Sequence, residues 1–84
     1  MKPVERLLAT ARAEIGYIEK ETNAQLDDKT ANAGDGNWNK YARDLDALGV
    51  LYNGKKNGYA WCDIFTDWCF IQTFGLELGL KLLC

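Results

Sequence analysis

The sequence predicts a mainly α fold of three to four helices in one domain covering residues 1–84. Three observations carry that expectation. Apolar residues recur at helical spacing in two segments, near residues 3–16 and 37–49. A third run, "WCDIFTDWCFIQTFG" from Trp61 to Gly75, is apolar on nearly every side, as a central helix is. The composition is 48% hydrophobic and 12% aromatic over 84 residues, which suits one small globular unit rather than a disordered chain. A domain this short buries a small share of its surface, so a thin core or help from a partner is expected.

In the first segment, "KPVERLLATARAEIG", the residues Val4, Leu7, Leu8, Ala11 and Ile15 fall on one helical face. Pro3 suits its first turn and Gly16 its end. The next stretch, Tyr17 to Gly36, has little periodicity and much Asn, Asp, Gly and Thr, residues whose side chains favour turns. It reads as a long irregular loop, a feature more often functional or mobile than inert in a compact domain.

A second helix fits "NWNKYARDLDALG", with Trp38, Tyr41, Ala42, Leu45 and Leu48 as its stripe, Asn37 as N-cap and Gly49 as terminator. The connection "VLYNGKKNGYA" is rich in turn residues. The third helix then runs from Trp61 to an interruption at Gly75, and "LELGLKLLC" forms a further short helix despite Gly79.

Charge and cysteine content exclude several classes. Net charge is −2, and the ten Lys and Arg residues are scattered, which argues against nucleic acid as a partner. The N-terminus "MKPVER" carries charges where a signal peptide needs an apolar run, and no stretch approaches the roughly 18 apolar residues of a membrane span. Neither a signal peptide nor a membrane partner is expected. Cys62 and Cys69 on one helix lie about 10 Å apart along its axis, too far for a disulfide. With no histidine and no cysteine pair at ligand spacing, zinc is also disfavoured.

Cys62 has two readings. A thiol in the first turn of a helix meets unpaired backbone N–H groups and the positive end of the helix dipole, which favour a thiolate and stabilise an oxyanion. Yet a free cysteine more often packs as a small hydrophobe, the reading given to Cys69. Asp63 and Asp67 form an i, i+4 carboxylate pair, read as a solvated face before a cation site. Trp38 and Tyr41 read as core before a sugar-stacking platform.

The order "AEIGYIEKETN", "NWNKYARDLDALG" and "GYAWCDIFTDWCFIQTFG" resembles the N-terminal half of CHAP-type cysteine peptidases and amidases, histidine-dependent enzymes that cleave bacterial peptidoglycan and are frequent in phage endolysins. The family's Trp-Cys-x-x-Phe-x-x-Trp motif matches Trp61, Cys62, Phe65 and Trp68 without a gap. The resemblance implies the helical half of a papain-like α+β fold without its sheet, and Cys62 as the nucleophile. Tyr59, just before it, is a candidate for oxyanion support, with packing as its alternative.

The resemblance further implies a peptidoglycan peptide as substrate and a bacterial or phage origin, with residence in the cytoplasm until release to the cell wall. Some family members hold calcium. No cofactor is required here, but Asp27, Asp28, Asp35 and Asn37 are calcium candidates, weighed against a plain polar loop. The family's histidine base has no counterpart in these residues, so the chain alone is expected to be inactive. A complementing C-terminal half or self-association is the expected partner. The alternative is a non-catalytic helical binding or assembly module with a buried thiol.

Overall fold

A computed structural model of the chain describes residues 2–49 and 54–83. The first part of the expected turn-rich connection, residues 50–53, and Cys84 lie outside the described residues. The protein is mainly helical, with four helices in the order α1 (Pro3–Arg12), α2 (Lys40–Leu48), α3 (Cys62–Phe74) and α4 (Leu76–Leu83). Among the described residues the only β pairing consists of isolated bridges, from Lys20 to Ala33 and to Trp38.

α3 is the hub, touching each of the other three helices. It contributes Ile64, Trp68, Cys69 and Ile71 to the core, where they meet Tyr41, Ala42 and Leu45 of α2. Leu7 and Ala11 of α1 pack against this cluster from outside. Aromatic rings fill its centre: Tyr41 stands edge-on to Tyr17, Phe65 and Trp68, each 4.8 Å away between centroids, and stacks on Trp61 at 5.6 Å. Such pairs contribute about 0.5–1.5 kcal/mol each beyond their buried area. One ring thus ties two helices, the loop after α1 and the residue before Cys62.

Two element boundaries differ from the sequence expectation. α1 stops at Arg12, and a turn carries the chain to Gly16, so Ile15 is 73% exposed instead of continuing the buried face. No residue of α1 is fully buried; Val4 and Leu8 face outward as well. The N-cap of α2 is Asn39, not Asn37: the Asn39 side chain accepts from the Ala42 N–H at 2.8 Å, while Asn37 takes a left-handed φ of 61°. Trp38 is held extended ahead of the helix because its backbone exchanges two hydrogen bonds with Lys20, at 2.8 and 3.2 Å. It is therefore no part of the α2 stripe, and Leu48 is largely exposed.

α3 and α4 turn on Gly75 and lie close together. At Gly79 a Cβ would stand 3.0 Å from the Ile71 Cα and 3.1 Å from its Cγ1. The residue that weakens α4 as a helix is the one that lets it dock.

The loop between α1 and α2 is ordered around Lys20, which is fully buried. Ile18 N–H donates to Lys29 O, Glu21 N–H to Asn32 O, and Gly34 N–H to Glu19 O. The Asn32 side chain donates to Thr22 O and Ala24 O, closing a tight inner turn. The Tyr17 hydroxyl donates to Leu26 O at 2.6 Å and accepts from the Lys40 N–H at 2.9 Å, joining the loop to the start of α2. Polar composition here gives a hydrogen-bonded wrap rather than an unstructured segment.

Candidate functional site

Cys62 is the first residue of α3, and it is exposed. No side chain caps this helix, and the first-turn N–H groups of Cys62, Asp63 and Ile64 have no acceptor among the described residues. A nucleophile at that point has oxyanion donors beside it in its own backbone. Cys69, two turns on, is 4% exposed within the core. Burial, with the Glu14 charge adding to it, pushes the Cys69 thiol up to about 11. The two thiols sharing a helix are thus chemically distinct.

Trp61 fixes where α3 begins. Its ring stacks on Tyr41 and stands edge-on to Tyr17 at 6.3 Å. Tyr41 in turn donates its hydroxyl to Glu14 Oε1 at 3.0 Å, and Lys40 Nζ reaches the same oxygen at 2.6 Å. Burial first, and the Glu14 carboxylate second, raise the Tyr41 hydroxyl far above the ordinary tyrosine range. Tyr17 is also raised, chiefly by burial. The platform behind Cys62 consequently stays protonated and keeps its hydrogen bonds throughout the physiological range.

A groove of about 460 Å³ opens beside this platform, with Leu8, Ala11, Ile15, Tyr17, Trp61 and Phe65 along its walls. Arg12 and Glu14 border it, and the rest of its lining is mostly apolar. Tyr59 is 65% exposed, its ring 6.0 Å from Lys56 Nζ, and it has no place in the core.

Of the calcium candidates, Asp27 and Asp28 have their carboxylates engaged. Asp27 pairs with Arg43 at 2.7 Å, and that hydrogen bond lowers its carboxyl below the usual range. Asp28 accepts from the N–H groups of Thr30 and Ala31, which lowers it likewise. Asp35 and Asn37 donate their backbone N–H groups to Glu21 and Glu19. Among the described residues no three His, Cys, Asp or Glu side chains are grouped to hold a metal ion. Asp63 is exposed in the first turn of α3, and Asp67 is half-buried.

Sequence reasoning missed the supporting residues Glu14, Tyr17, Lys20, Asn39 and Lys40. Only Asn39 carried a readable signal, an N-cap residue type three positions before Ala42. No protein-family model, curated protein or solved structure matches the chain. Among the described residues no helix is long and apolar enough to cross a membrane.

Proposed function

We propose that Cys62 is the nucleophile of a peptidoglycan-cleaving cysteine amidase or endopeptidase of the CHAP type, of which these 84 residues form the helical, N-terminal portion. The observation that carries this reading is the exposed thiol at the first position of α3, directly after the ring-stacked Trp61. In the reaction the Cys62 sulfur attacks a peptide or amide carbonyl, the oxyanion takes first-turn N–H donors, and expulsion of the amine leaves a thioester that water hydrolyses. Proton transfer to the leaving amine and from the attacking water needs a base, and the chain contains no histidine. On this reading a complementing C-terminal half supplies that group, and the chain alone is expected to leave cell walls intact. No step passes through calcium.

The test measures alkylation by iodoacetamide near neutral pH, and wall lysis by this chain with an appended C-terminal half that carries a histidine base. Fast labelling of Cys62 in the folded protein, with lysis lost in Cys62→Ala, supports the reading. Labelling only after denaturation, or lysis unaffected by Cys62→Ala, defeats it.

A second reading, an assembly module, draws on exposed apolar side chains. Val4, Leu8 and Ile15 lie outward on or just after α1, and Leu76, Leu78 and Leu82 on α4. Where such side chains form a contiguous patch, the patch marks a surface for a partner. Sedimentation of the chain at micromolar concentration discriminates: self-association favours this reading, a monomer removes its support.

A further inference from the structure

Trp38 stands apart from the other two tryptophans. Trp68 is buried with its indole N–H on Asp44 Oδ2 at 2.9 Å, and Trp61 packs into the aromatic cluster. Trp38 is only half-buried, belongs to neither the core nor any ring pair, and its indole N–H has no acceptor among the described residues. Two features hold it in place. Its backbone is bonded on both sides to Lys20, and its ring lies against Gly58, where a Cβ would be 3.3 Å from Cζ2 and the φ of +97° is one that side-chain-bearing residues rarely adopt.

The indole lines a cavity of about 520 Å³, within the roughly 300–1,000 Å³ of small-ligand sites. The polar groups around it differ in how far they are already used. Asn23 and Lys55 make no hydrogen bond or ion pair among the described residues, and both are exposed. Asn57 accepts from the Asn39 N–H through Oδ1, leaving its amide nitrogen without an acceptor among the described residues. Asp46 is held rigid by the N–H groups of Lys56 and Asn57, at 2.9 to 3.1 Å, and Arg43 by Asp44 and Asp27. The site therefore offers one aromatic plate, two planar amides, a fixed carboxylate and two cations.

This combination selects a ligand class. A simple anion would meet the Asp46 carboxylate, and a purely apolar guest would leave the amides and ammonium without a partner. A pyranose ring presents an apolar C–H face for the indole and a rim of hydroxyls that both donate and accept. We propose that the cavity beside Trp38 is a carbohydrate-binding site for one pyranose ring of a polysaccharide. It stands on residues separate from Cys62 and does not depend on the hydrolase reading.

The test titrates the isotope-labelled chain with chitotriose and with maltotriose while following the three indole N–H and the side-chain amide resonances by NMR. The expected result is a saturable shift of the Trp38 indole and the Asn23 and Asn57 amides by at least one of the two sugars, with a dissociation constant of about 1 mM or tighter. The Asn23→Ala/Lys55→Ala double variant, whose two positions are solvent-exposed, should keep the wild-type spectrum and weaken binding about tenfold. No movement of the Trp38 indole at about 10 mM of either sugar, shifts centred on Trp61 instead, or binding unchanged in the double variant would overturn the proposal. Thiol labelling is read separately, so either proposal can fail alone.

Discussion

Lys20 is the residue whose environment is least balanced. Its side chain is fully buried, its ammonium has no hydrogen-bond partner among the described residues, and what faces it is the Tyr17 ring, 4.8 Å from Nζ to centroid, with the Asp28 carboxylate within reach of its charge. A desolvated ion costs several kcal/mol, whereas a desolvated cation–π contact returns about 2 kcal/mol; the cost is the larger. Lys20→Met keeps the stem's length and removes the charge, so it is expected to stabilise the fold by about 1–3 kcal/mol in urea denaturation. Tyr17→Phe has the opposite sign. It removes the hydroxyl that donates to Leu26 O and accepts from Lys40 N–H, leaving both backbone groups short of a partner, at an expected cost of about 1–3 kcal/mol in the same assay. If Lys20→Met destabilises the protein as much as Tyr17→Phe does, the ammonium has a partner that the present geometry lacks.

At the scale of elements, the docking of α4 on α3 rests on the absence of a side chain at Gly79. Gly79→Val places Cγ atoms where Ile71 backbone already stands at contact, and overpacking of this kind costs about 1–3 kcal/mol. Leu78→Val, on the neighbouring position that is 48% exposed, should stay within about 0.5 kcal/mol. Equal thermal midpoints for the two variants would show that α4 does not pack as described. The span of α3 was readable from the sequence because an all-round apolar run ending in glycine has few alternatives. The start of α2 was not: Asn37 and Asn39 are equally good caps by type, and the choice falls to Lys20, whose backbone holds Trp38 extended and leaves Asn39 at the boundary. Ile15 misled for a similar reason, since periodicity continues past Arg12 although the helix does not. That Cys62 lies in the first turn of α3 was readable from the same run, which starts at Trp61. The cavity at Trp38 was not, because Asn23, Arg43 and Asn57 come from three segments brought together only by the fold.

Across the whole molecule, one buried network links the titration of three groups to stability. Cys69, Tyr41 and Tyr17 all touch or neighbour the core, and burial raises all three above their ordinary values of 9.0, 10.0 and 10.0. When the folded state holds a proton more tightly than the unfolded chain, stability is fully present below the unfolded value and is lost as pH climbs toward the folded one. For Cys69 that window runs from 9.0 to about 11. For the two tyrosines it opens at 10.0, and for Tyr41 it extends past the range where the fold would survive. The urea midpoint is therefore expected to be flat with respect to these groups below pH about 9 and to fall steadily above it. Cys69→Ala loses core packing and starts lower at neutral pH, but it lacks the thiol's proton, so its decline over the first part of the window should be shallower than that of the wild type. A wild-type midpoint that does not change between pH 8 and 11, or a Cys69→Ala decline as steep as the wild type's, would mean that these hydroxyl and thiol groups are hydrated in solution and that the aromatic platform behind Cys62 is looser than its geometry indicates.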